Sequence, residues 1–144
     1  MELVNSKKRD LKKIAEIYRI EFSKPPYNEK WDVKKAISKI KSFYRNYDLY
    51  TIFLDRKIIG FVVVNPNFMC PGEVAFGEEI AIQEDFQNKG IGTDVHKKLF
   101  AIYRKKGFKK FMGIADINSK AYKLYLKLGI LPSKQNILIE KDLS

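Results

Sequence analysis

Between Leu11 and Phe22 the apolar residues Leu11, Ile14, Ala15, Ile17, Tyr18 and Phe22 recur every three or four positions, the spacing of one helix face, until Lys24-Pro25-Pro26 stops the pattern. A second helix is expected from Asp32, a good N-cap, through Val33, Ala36, Ile37, Ile40 and Phe43, with lysines on its other face. The period then changes. Leu49–Leu54 and Ile58–Val64 are β-branched and aromatic runs joined by Asp55-Arg56-Lys57, which predicts a hairpin. A third run, Glu73–Ile82, has apolar residues on both faces, as a central strand does. From Gly90 helical spacing returns at Ile91, Val95, Leu99, Ile102 and Tyr103, ending in Lys105-Lys106-Gly107, a cationic last turn closed by glycine. Phe108–Ala115 reads as a strand, Asn118–Leu128 as a short helix ended by Gly129, and Gln135–Glu140 as a final strand. With a short first strand at Leu3-Val4, the predicted order is β-α-α-β-β-β-α-β-α-β, a mixed sheet with helices packed on it in one domain spanning 1–144.

The length of 144 residues suits one hydrophobic core. The 28 Lys and Arg against 17 Asp and Glu leave a net charge of +11, which attracts anions: nucleic acid, a membrane surface or a polyphosphate ligand. Surface lysine with no ligand at all would give the same number. Cys70 is the only cysteine, so no internal disulfide can form. No run has the apolar character of a signal peptide or a membrane span, so a cytoplasmic location without a membrane partner is expected. The one histidine, His96, falls at helical spacing with Leu99, Phe100 and Tyr103 and reads as a packing residue. With so few candidates, neither a Ser-His-Asp triad nor a His/Cys metal site is expected.

The local chemistry centres on Gln87-Asn88-Lys89-Gly90-Ile91-Gly92-Thr93, at the junction of a predicted strand and helix. The first amides of a helix have no intrahelical partners and lie at the positive end of its dipole, so they can bind phosphate oxygens. Taken alone, a Gln/Arg-x-x-Gly-x-Gly/Ala string arises by chance in about one chain of this length in eight. The segment lacks the third glycine of a dinucleotide fingerprint, having Val95 there, and lacks the Gly-Lys-Ser/Thr of a P-loop.

Its surroundings give it weight. Glu79-Ile80-Ala81-Ile82 runs into Gln87-x-x-Gly90-x-Gly92, and downstream stands Asn118-x-x-Ala121-x-x-x-Tyr125-x-x-x-Gly129. This ordered set resembles the GNAT superfamily of acyl-CoA-dependent N-acyltransferases, most strongly from Glu73 to Ile130. The resemblance implies an α/β (α+β) fold with a mixed, mostly antiparallel sheet, in which a parallel strand pair splays apart to hold coenzyme A. It implies acetyl-CoA as acyl donor, no metal, and a cofactor site made by the backbone of Ile80, Ala81 and Ile82, by Gln87, Asn88, Lys89, Gly90, Ile91, Gly92 and Thr93, and by Asn118 and Tyr122. Asn118 also stands where a cap for the following helix is needed.

The same resemblance assigns Glu79, with Glu78 as second choice, to removing a proton from the amine, the amide of Ile82 to the thioester oxygen, and Tyr125 to protonating the departing sulfur. Only one of Glu78 and Glu79 is expected to face the acceptor unless a bulge intervenes. The acceptor is expected to be a primary amine on a small molecule or a polypeptide. Phe22–Trp31 would shape its pocket, with Tyr27 and Trp31 as an apolar wall. The short stretch Leu131–Gln135 suggests that this pocket is reduced or completed by a second subunit in a homodimer. A basic nucleic-acid-binding or CoA-sensing domain without catalysis is the competing class, but no nucleic-acid motif accompanies the charge.

Overall fold

The computed structural model describes residues 1–144. A five-stranded sheet carries the molecule, with strands in chain order β1 (Glu2–Asn5), β2 (Asp48–Leu54), β3 (Lys57–Asn65), β4 (Val74–Ile82) and β5 (Lys110–Gly113). The first three neighbour pairs are antiparallel and β4–β5 is parallel. Helices α1 (Leu11–Phe22) and α2 (Val33–Asn46) precede the hairpin, α3 (Ile91–Lys105) links β4 to β5, and α4 (Lys120–Lys127) follows.

Each element forms where its residue pattern requires. The apolar stripes of α1 and α2 close over Leu49, Phe61, Val63 and Ala81 on one sheet face. On the other, Ile91, Val95, Leu99 and Tyr103 of α3 cover Tyr50, Ile52, Val62, Val64 and Ala75. Asp32 caps α2 as expected, its Oδ1 accepting from the Lys35 amide at 2.7 Å. The hairpin turns on Asp55 and Arg56 alone, both at positive φ (48° and 67°), which suits the right-handed twist of a two-residue connection. Lys57 already belongs to the strand.

The structure corrects three readings. Strand β5 is shorter than Phe108–Ala115, because the Phe108 amide still closes α3 on the Tyr103 carbonyl and the chain leaves β4 after Gly113. Helix α4 is capped by Ser119 and not by Asn118: the Ser119 hydroxyl accepts from the Tyr122 amide at 3.0 Å, while the Asn118 amide turns to Asp116 Oδ1. The strand expected at Gln135–Glu140 does not form. There the Ser133 hydroxyl takes the amides of Gln135 and Asn136 (3.2 and 3.0 Å), a local bond that competes with strand pairing. Ile137 and Ile139 are left 85% and 81% exposed.

Candidate active site

The β4–β5 ladder runs from Val74↔Lys110 to Gly77↔Gly113 and stops. Beyond it β4 continues to Ile82 while β5 turns away, so one edge of β4 is open. Because the Gln83 amide donates to Ile59 on β3 (2.8 Å), alternation along β4 turns the amides of Ile82 and Ile80 into this gap. The same alternation removes Ala81 from the predicted cofactor residues: its side chain is buried under α1 and α2, and its amide faces β3.

A cleft of about 670 Å³ passes through the opened sheet. Phe22 and Tyr27 line it on the α1 side, His96 and Leu99 on the α3 side, and Glu79, Tyr122 and Tyr125 between. The predicted ligand residue Asn118 is exposed and stands off this lining. Trp31 is likewise not part of the wall; it packs edge-on against Tyr18, with ring centroids 4.7 Å apart.

A bulge intervenes at the two glutamates, and both line the cleft. Val63 pairs with Glu79 but Val64 with Gly77, which leaves Glu78 as the extra residue of β4. Facing parity flips there: Ile80 and Ile82 pack under α3 on one side of the bulge, and Ala75 does so on the other. Glu79 faces α1, where the Tyr18 hydroxyl donates to its Oε1 (3.4 Å), and Glu78 accepts from Asn65 (3.3 Å). Burial, and next the negative charge of Glu29, push the Glu79 carboxyl up to about 7, against the lowering influence of Lys39 and the Tyr18 bond. Tyr125 is raised above its ordinary value by burial first, then by Tyr27 and Glu79. Its hydroxyl is not among those that bond within the protein, which are Tyr18, Tyr50 and Tyr103.

At the end of β4, the side chain of Gln87 turns inward. Its Nε2 donates to the Ile82 carbonyl (2.7 Å) and to Glu21 on α1 (3.3 Å), and Lys24 bridges Glu21 and Glu84 (3.2 and 3.0 Å). The Gln87 amide is also occupied, on the Glu84 carbonyl, so Gln87 shapes the loop and is no amide donor in it. The amides that follow are different. Asp94 is the first of α3 to reach a carbonyl, that of Gly90 at 3.1 Å, and Asn88 through Thr93 have no backbone acceptor. Asn88 (φ 59°) and Gly90 (φ 79°) are both left-handed, which folds the run into a concave nest for an anion at the positive end of α3.

The two glycines have separate reasons. A Cβ at Gly90 would meet nothing within 4 Å, so its left-handed backbone is what requires glycine there. A Cβ at Gly92 would stand 2.8 Å from Leu124 Cδ2, so Gly92 lets α3 approach α4. Gly90→Ala is therefore expected to cost about 1 kcal/mol, as a strained left-handed residue does, measured by urea denaturation; an unchanged midpoint would contradict this assignment.

The pieces fit coenzyme A: an anion nest for phosphate oxygens, an open strand edge for amide-bearing pantetheine, and a cleft through the sheet for the thioester. Sequence comparison agrees. Residues 11–130 match the model of the acetyltransferase (GNAT) family. No curated protein matches in sequence. Among solved structures, a possible acetyltransferase from Clostridium difficile 630 superposes with TM-score 0.81 at 14% identity, covering 99% of this chain and 98% of that one. An aminoglycoside N-acetyltransferase in complex with CoA gives TM-score 0.75 at 15% identity over 97% and 93% of the chains. A ribosomal-protein-alanine N-acetyltransferase from Brucella melitensis gives 0.76 at 14% over 98% and 98%. At these identities the likeness is one of fold.

Proposed function

The chain belongs to the GNAT acetyltransferase family, an acyltransferase family that uses acetyl-CoA, and from that premise we propose that it moves an acetyl group from acetyl-CoA to a primary amine by direct attack within a ternary complex. The observation that carries the proposal is the run of unpartnered amides from Asn88 to Thr93 at the head of α3, beside a cleft that holds both Glu79 and Tyr125. When bound, acetyl-CoA supplies an activated acyl carbon and a thiolate leaving group.

The protein's residues supply the rest. An alkylammonium has a pKa around 10 and must lose a proton to attack. Glu79, whose carboxyl is pushed up to about 7, takes that proton before the amine attacks, and the nitrogen's second proton leaves once the C–N bond has formed, balancing the one that Tyr125 gives to sulfur. The Ile82 amide, turned into the gap, faces the charge that develops on the thioester oxygen. As the C–S bond breaks, Tyr125 gives its proton to sulfur. The amine enters past Phe22 and Tyr27, where Glu79 and Asp116 favour a cation. Both kinds of acceptor named among the similar structures, an aminoglycoside and a ribosomal-protein alanine, carry such an amine.

Calorimetry with acetyl-CoA, followed by thiol release against a panel of amines and peptides, tests this reading. Micromolar binding and amine-dependent thiol release are expected; no binding at high micromolar ligand would sink it.

A further inference from the structure

His96 is the one histidine of the chain and is only 3% exposed. It sits among rings: Tyr125 at 5.2 Å and 67°, Phe100 at 6.0 Å and Phe111 at 6.4 Å, centroid to centroid. A phenylalanine would fill this cage without placing a polar nitrogen among the rings, so packing alone does not account for the residue. One nitrogen is satisfied. Nδ1 lies 2.7 Å from the Gly92 carbonyl, and since a carbonyl only accepts, Nδ1 carries the proton and Nε2 keeps its lone pair. Burial holds the ring below its ordinary pKa, hence neutral. The bond also locks the imidazole rotamer against α3, which no hydrocarbon ring could do.

We propose that His96 is a positioning residue that ties Tyr125 to the first turn of the anion-binding helix. Gly92 belongs to the run of free amides and its carbonyl holds the imidazole; the imidazole in turn abuts the ring of Tyr125. Next to Tyr125, Leu124 fills the space that a Cβ on Gly92 would need. The first turn of α3 thus meets α4 at two successive residues, and the amide nest and the Tyr125 hydroxyl move as one body. The consequence for turnover rests on the acetyl-transfer reading; the mechanical link does not. Besides His96, the titratable groups that face Tyr125 are Tyr27 and Glu79.

Three variants separate positioning from packing. His96→Phe keeps a ring and loses the Gly92 bond, His96→Asn keeps an amide donor and loses the ring, and His96→Ala loses both. Each is measured for kcat, for CoA affinity by calorimetry, and for the titration of Tyr125 by NMR of 13C-labelled tyrosine, with Tyr125→Phe identifying the resonance. His96→Phe is expected to lower kcat about 10-fold, a fraction of what a 1 Å misplacement can cost, with CoA affinity within about 2-fold. His96→Ala is expected to lower kcat further and to bring the Tyr125 titration down toward its ordinary range as water reaches the hydroxyl. If all three variants lose thermal stability only, and kcat and the Tyr125 resonance stay as in the wild type, the proposal is wrong. If the wild type transfers no acetyl group while the Tyr125 resonance still responds to His96, the link stands and the acetyl-transfer reading fails.

Discussion

Glu79→Gln is expected to lower kcat/KM for amine acetylation by roughly 10²-fold or more at pH 7, the usual worth of a positioned general base, and to erase the acidic limb of the pH profile. In the wild type that limb should fall as pH drops below about 7, where the carboxyl takes up its proton. The same substitution has an opposite consequence for stability. The folded protein holds the Glu79 proton more tightly than the unfolded chain, whose carboxyl titrates near 4.5. Folding therefore loses stability as pH rises from 4.5 through 7, by up to ~3 kcal/mol above that window. Glutamine cannot ionise. Urea denaturation should find the variant more stable than the wild type at pH 8.5, with the difference vanishing near pH 4.5. An equal difference at both pH values would mean that Glu79 is not held in the raised state, and an unchanged acidic limb would move the base elsewhere. A residue whose replacement stabilises the fold and stops the reaction is one retained for chemistry.

What the residue pattern made legible was what local spacing encodes. The helical periodicity of α1 and α3, the Asp32 cap and the hairpin could be read because each is decided within a few neighbouring positions. The turn into α3 was legible too, from glycines at a strand-to-helix junction. What escaped depends on partners far along the chain. The bulge at Glu78 is a mismatch of register with β3, so no period within β4 announces it. Tyr18 reaches Glu79 across 61 positions. Ala81 was misplaced because apolarity on both sides of a strand conceals which amides face the open edge. At α4 two good capping residues stand together, and only the turn at Asp116, which engages both amides, gives the position to Ser119 and not Asn118. The missing sixth strand has β-forming residues, but a single hydroxyl from Ser133 diverts its first amides. His96 carried a faint signal as a polar residue on an apolar face; its rings come from α3, β5 and α4 and meet only in the fold.

Tyr125→Phe should reduce kcat by roughly 10- to 100-fold, at or below the lower end of the range for a general acid, while CoA affinity changes by less than about 2-fold. The modest size follows from the environment. A thiol has a pKa near 8.5 and a free tyrosine near 10, and burial lifts Tyr125 further. That keeps the proton in place throughout the neutral and mildly alkaline range, but it also makes proton transfer to a finished thiolate unfavourable. The transfer must therefore accompany C–S cleavage, while sulfur is still gaining charge, and part of the hydroxyl's effect is simply a hydrogen bond to that charge. Two further results are expected. The wild type should show no alkaline limb below pH 10 from this residue, and a solvent deuterium isotope effect on kcat should shrink in the phenylalanine variant. Stability should be almost unaffected, since the ring remains and the hydroxyl gives up no bond within the protein. Turnover within 2-fold of wild type, with the isotope effect intact, would assign the proton on sulfur to water and leave Tyr125 as a wall of the cleft.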